Sequence, residues 1–167
     1  MQVTSQEANK ILNNIREEVN IIEREQEANR RFVAATIENK EDLRPDYNFM
    51  ETQNKLFELE LKELQIRHAL NVFNATTEIE VGQMEMTLDK ALVFIPWLEH
   101  KKFTLQNMKG IPEKVRKSVT GNIIDYVYRN YDMKELEEEY ANTVDVLNKV
   151  KQELNKINVT KTFVIPD

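Results

Sequence analysis

The sequence predicts a mainly α fold: an antiparallel four-helix bundle with long coiled-coil-like helices and a small β-sheet at one end. Three observations carry this expectation. Apolar residues recur in 4-3-4-3 steps over long stretches, which is the spacing of a helix seam. Gly (3) and Pro (4) are scarce among 167 residues, which disfavours a sheet-rich fold dense in tight turns. Finally, residues 47–81 align without gaps onto residues 131–165, and each stretch reads as a helix followed by a short strand.

Thr4 and Glu7 have the spacing of a capping box and open a first helix, from about Ser5 to about Ala35. Its seam is Ala8, Leu12, Ile15, Val19 and Ile22, continuing through Gln26 and Asn29 to Val33. The seam turns polar midway, so its far half is expected to pack loosely or to meet something polar. A charged linker, Glu38 to Pro45, follows, and Pro45 disfavours helix at Arg44. The second helix starts near Asn48 and runs to about Phe73. It carries two seams side by side: Leu56, Leu59, Ile66, Leu70 and Phe73 on one, and Phe57, Leu61, Leu64 and His68 on the other. So wide an apolar arc predicts neighbours on more than one side, and hence a central place.

Thr76 to Val81 reads as a strand, with Ile79 and Val81 alternating against Glu78 and Glu80. Thr87 is expected to cap a third helix, with Asp89 in the first turn, where the helix dipole favours negative charge. Leu88, Ala91, Ile95, Leu98 and Leu105 form its seam; Pro96 predicts a kink, and Gly110 and Pro112 end it. Asn122 to Asn130 is rich in β-branched and aromatic residues and reads as a strand. The fourth helix runs from about Met133 to Ile157 on the seam Leu136, Tyr140, Thr143, Leu147, Val150, Leu154 and Ile157, and Thr162 to Ile165 reads as a last strand.

The internal alignment at an offset of 84 predicts a repeated unit. Tyr47 meets Tyr131, Asn48 with Glu51 meets Asp132 with Glu135, each a cap residue with an acid three residues on, and Asn74-Ala-Thr76 meets Asn158-Val-Thr160. Ile66, Phe73, Ile79 and Val81 meet Val150, Ile157, Phe163 and Ile165. Each Asn-x-Thr is expected to stop its helix, because Asn tolerates the left-handed conformation and β-branched Thr favours a strand. The two end strands are then expected to lie near each other, with 122–130 as a third strand of one sheet. The copies differ at Arg67 and His68, which meet Lys151 and Gln152.

Three stretches, Ile66–Thr77, Met86–Leu92 and Leu154–Thr160, resemble a septicolysin-like group of small uncharacterised bacterial and phage helical proteins. The group's label implies a cytolysin, but the sequence shows no apolar hairpin of the kind a membrane-active toxin would need.

Composition narrows the function. The net charge of −6 argues against general nucleic-acid binding. No run approaches the roughly 18 apolar residues of a membrane span, and the polar opening MQVTSQEANK lacks a signal-peptide core, so no membrane role and a cytoplasmic place are expected. Cys is absent, which removes disulfides and thiolate metal sites. Two histidines far apart, with no spaced acidic ligand, predict no metal, and no cofactor motif appears. There is no G-x-S-x-G and no phosphate-binding glycine loop, so a single non-enzymatic domain over 1–167 is expected.

Two groups of side chains are candidate ligand contacts. Arg67, His68 and Asn71 lie near the end of the second helix, where the plainer reading is end-capping and a half-buried histidine. Residues 100–118 set Lys101, Lys102, Lys109, Lys114, Arg116 and Lys117 against one acid, Glu113; Lys101, Lys102 and Arg116 could hold a small anion such as a nucleotide, or simply balance acidic helices. Trp97 beside Pro96 and Phe94 reads as pocket lining or, more simply, core. The leading expectation is a homo-oligomeric interaction or scaffold protein with a possible protein partner. The alternatives are a small anionic-ligand binder and, more remotely, a membrane-active toxin.

Overall fold

The structure, a computed structural model, describes residues 1–117 and 123–166. Among these the chain is mainly α, with four helices and small antiparallel ladders. In chain order the elements are β1 (Gln2–Thr4), α1 (Ser5–Asn29), α2 (Phe49–Thr76), β2 (Glu78–Val81), β3 (Met84–Thr87), α3 (Leu88–Lys109), β4 (Lys114–Arg116), β5 (Tyr126–Tyr128), α4 (Met133–Thr160) and β6 (Thr162–Val164). They divide into two compact units, Met1–Phe73 with Asn158–Asp167, and Asn74–Ile157.

In the first unit, β1 and β6 pair antiparallel in the register Gln2↔Val164, Val3↔Phe163 and Thr4↔Thr162. Thr4 then turns the chain into α1. The Thr4 amide donates to Glu7 Oε2 at 2.8 Å and the Glu7 amide donates to Thr4 Oγ1 at 3.2 Å, so the capping box forms. Ala8, Leu12 and Ile15 of α1 bury against Val3, Ile165 and Ile66 of α2, with Leu59, Ala69, Leu70 and Phe163 packed around them. Phe163 also stacks on Phe73, the ring centroids 4.7 Å apart.

The helix α1 ends at Asn29, short of the expected Ala35, and Val33 is 93% exposed. The reason lies in the seam. Beyond Ile22 it offers Gln26 and Asn29 and then a lone Val33, so lengthening the helix would order more backbone for little buried apolar surface. At the start of α2 the Asn48 side chain accepts the Glu51 amide at 3.2 Å, the cap that the sequence predicts. The helix passes through Asn74 and ends on Thr76. Likewise α4 passes through Asn158 to Thr160. No non-glycine residue among those described has a positive φ, so neither Asn is the left-handed stop that the Asn-x-Thr pattern suggests.

In the second unit, β2 and β3 form a tight hairpin, Val81 facing Met84 across Gly82 and Gln83. Gly82 has φ +64°, and a Cβ placed there would meet nothing within 4 Å, so the turn depends on backbone conformation alone. Ile79 and Val81 point into the core and Glu78 and Glu80 outward, as the alternation predicts. Thr87 occupies the cap position of α3, but its hydroxyl donates to the Asp89 carboxylate and makes no cap bond to the backbone. The helix continues through Pro96 and closes at Gly110, whose amide donates to Asn107 O at 3.2 Å.

α4 runs back alongside α3. Lys101 pairs with Glu139, Lys151 with Glu99, and the Tyr131 hydroxyl donates to Met108 O. Its seam is buried at Leu136, Thr143, Leu147, Val150 and Leu154. The Asp132 carboxylate caps it, accepting the Lys134 amide at 2.8 Å and the Glu135 amide at 3.0 Å. Between the two helices, β4 and β5 pair in the register Lys114↔Tyr128, Val115↔Val127 and Arg116↔Tyr126. The expected strand 122–130 is therefore shorter, with an unforeseen partner; Asn122 and Ser118 lie outside the described residues. The strands make three separate two-stranded ladders, not one sheet, because each finds its partner near its own helix end.

Candidate functional site

Helix α2 has two apolar faces, and the structure treats them differently. The inner face turns Leu59, Ile66, Leu70 and Phe73 to the core. On the outer face, residues 50, 54, 57, 61, 64, 68 and 71 follow one another in alternating steps of four and three, the spacing of a coiled-coil seam. Met50, Phe57, Leu61 and Leu64 are all exposed there. The expectation of a central helix with neighbours on several sides is thus corrected. Periodicity reveals an apolar face, but it cannot say what covers it.

Charge frames this outer face on both sides. Glu51 and Glu58 flank one edge together with Lys62, and Glu60 flanks the other beside the Glu63-bound Arg67; none of Glu51, Glu58 and Glu60 has an ion partner among the described residues. Glu63, by contrast, is engaged, accepting from Arg67 at 2.6 Å and from Arg16 at 3.5 Å.

A second exposed surface is the β4–β5 hairpin. Alternation along the strands puts Lys114, Arg116, Tyr126 and Tyr128 on one face and Val115 and Val127 on the other. The Lys114 ammonium lies 3.9 Å from the Tyr126 ring centroid and 5.4 Å from that of Tyr128. Both faces are open: Ile111, Val115, Val127 and Tyr128 are exposed, as are Ile123 and Ile124 next to β5. Neither Arg116 nor Lys117 has an ion partner among the described residues.

The residues singled out from the sequence fall into both units. Arg67 is tied to Glu63, while His68 and Asn71 are exposed on the outer face of α2. Lys101 is paired with Glu139 and lies 5.4 Å over the Trp97 ring, so its charge is already met. Lys102 lines a shallow groove of about 360 Å³ with Phe103, Gln106, Leu147 and the Glu99–Lys151 pair. Arg116 stands on β4. Trp97, which the sequence suggests as core or pocket lining, is exposed and stacks on Phe94 at 5.6 Å.

No family model matches the chain, and no curated protein matches it. It is similar in fold to the crystal structure of a functionally unknown conserved protein from Corynebacterium diphtheriae. That likeness has a TM-score of 0.61 at 14% identity, covers 98% of this chain and 100% of the other, and shows the fold alone.

Two further features bear on chemistry. The polar half of the α1 seam borders a cleft of about 310 Å³, lined by Ile22, Gln26, Asn29, Tyr47, Asn48 and Glu51 among others. There the Gln26 side-chain Oε1 accepts from Gln53 Nε2 at 2.7 Å and from the Tyr47 hydroxyl at 3.3 Å, so the seam's polar residues meet polar side chains of the second helix and its approach. Three carboxylates are held below the usual range: Glu7 by the Thr4 backbone and hydroxyl, Asp89 by the Thr87 hydroxyl, and Glu41 by Arg44. All three serve caps or a loop. Among the described residues no cluster of His, Asp or Glu could hold a metal ion, and no helix is long and apolar enough to cross a membrane.

Proposed function

We propose that the chain is a non-enzymatic interaction protein that self-associates, with the outer face of α2 as its principal contact. One observation carries this reading: a helix that buries one apolar seam in its own core carries a second, at coiled-coil spacing, in the open. Contiguous exposed apolar surface on a folded protein marks a site of association.

Light scattering across concentration tests the reading. The expected result is a mass above the 19.8 kDa of one chain at tens of micromolar, falling on dilution. A single-chain mass throughout that range would overturn it.

A further inference from the structure

The two exposed surfaces are complementary, and neither fits itself. The outer face of α2 is apolar with a rim in which Glu51, Glu58 and Glu60, all without ion partners among the described residues, outnumber Lys62 and the Glu63-bound Arg67. The β4–β5 hairpin carries Lys114 and Arg116 among Tyr126 and Tyr128 on one face, with the acids Glu113 and Asp125 only beside the strands; Arg116 lacks an ion partner among the described residues, while Lys114 rests on the tyrosine rings. Pairing α2 with α2 would bring acid against acid at the seam edges, and pairing hairpin with hairpin would bring cation against cation. Like charges across a contact are costly and select against that pairing.

Resting on the self-association proposed above, we infer that the acidic-rimmed face of α2 in one copy takes the basic β4–β5 hairpin of a second copy. Phe57, Leu61 and Leu64 meet Tyr126 and Tyr128 of the hairpin, and Glu58 and Glu60 face Lys114 and Arg116 on that same face. Each copy carries one of each surface. Two copies that exchange both contacts close a twofold dimer, whereas copies that exchange one contact each extend into a chain. Association through facing rims of opposite charge is also expected to weaken as salt is added.

Two double variants test the pairing by light scattering, and all positions changed are exposed, so far-UV circular dichroism should match wild type. Glu58→Lys with Glu60→Lys reverses the acidic rim. Lys114→Glu with Arg116→Glu reverses the basic one. Each variant alone is expected to associate at least tenfold more weakly than wild type. An equimolar mixture of the two should regain association, because the reversed rims then face each other with opposite charge. If the single variants associate as wild type does, or if mixing restores nothing, the pairing is overturned while self-association stands. If the acidic-rim variant instead associates best with wild type, α2 pairs with α2. If wild type itself is a single chain, the failure lies in the proposed function.

Discussion

Replacing Ile66 and Leu64 in turn measures the difference between the two faces of α2. Ile66 is 0% exposed in the first core and Leu64 is 63% exposed on the outer face. Truncating Ile66 to Ala removes three methylene-sized groups, worth roughly 0.8 kcal/mol each on burial, or about 2.4 kcal/mol in transfer. The cavity left behind adds to this, so the expected loss is about 3–4 kcal/mol. For Leu64→Ala little more than a third of the same transfer applies and no cavity opens. The expected loss is about 0.9 kcal/mol, partly offset by the higher helix propensity of Ala. The assay is urea unfolding followed by circular dichroism, at a concentration where light scattering reports a single chain. With a slope of about 1–3 kcal/mol per molar, Ile66→Ala should lower the midpoint by about 1 M or more, and Leu64→Ala by a small fraction of that. A Leu64→Ala loss as large as that of Ile66→Ala would refute an open outer face.

Three further outcomes follow from local geometry. Gly82→Ala should lower stability by about 1–2 kcal/mol, because φ +64° is costly for a residue with a Cβ even where that atom meets nothing, and Gly82→Asn should cost less; thermal denaturation checks both. Asp132→Ala should cost about 1 kcal/mol in urea unfolding through the loss of two capped amides at the start of α4. Glu7 has its folded-state pKa lowered by its Thr4 hydrogen bonds, so its contribution is present above the ordinary carboxylate value of 4.5 and is lost as pH falls through the lowered one. The melting-temperature gap between wild type and Glu7→Ala should therefore be open at pH 7 and close in acid, and a gap that widens in acid would contradict the capping box.

The helices are legible in the sequence because caps and seams are local. Thr4 with Glu7, Asn48 with Glu51 and Asp132 with Glu135 each form the cap their spacing implies. The buried residues of α4 are those of its predicted seam. Sequence and structure part where tertiary surroundings decide. The seam of α1 runs on paper to Val33, but a helix persists only while it buries something. Asn74 and Asn158 have the pattern of stops, yet both lie inside helices that run on to Thr76 and Thr160. Three short strands escape the sequence reading: β1, which is seen only as the partner of β6, and β3 and β4. For β3, the Gly82-Gln83 pair after Val81 was an available turn signal. For β4, Lys-Val-Arg is too short and polar to register alone and becomes a strand only opposite Tyr-Val-Tyr. As for the candidate contacts, Arg116 lies in a segment whose basic character is plain, but the tyrosines that share its face lie ten residues and more beyond it in sequence. The exposed face of α2 is visible as an apolar arc, and only the packing of the first core shows which half of that arc is left over.

Sedimentation velocity of wild type beside Leu61→Glu with Leu64→Glu tests the central claim most directly. Both substitutions sit on the outer face, away from the core that Ile66 serves. Wild type at tens of micromolar should sediment as a dimer or larger, and the variant as a single chain of unchanged helix content. A variant that sediments with wild type as the same assembly would contradict the assignment of α2's outer face as the contact.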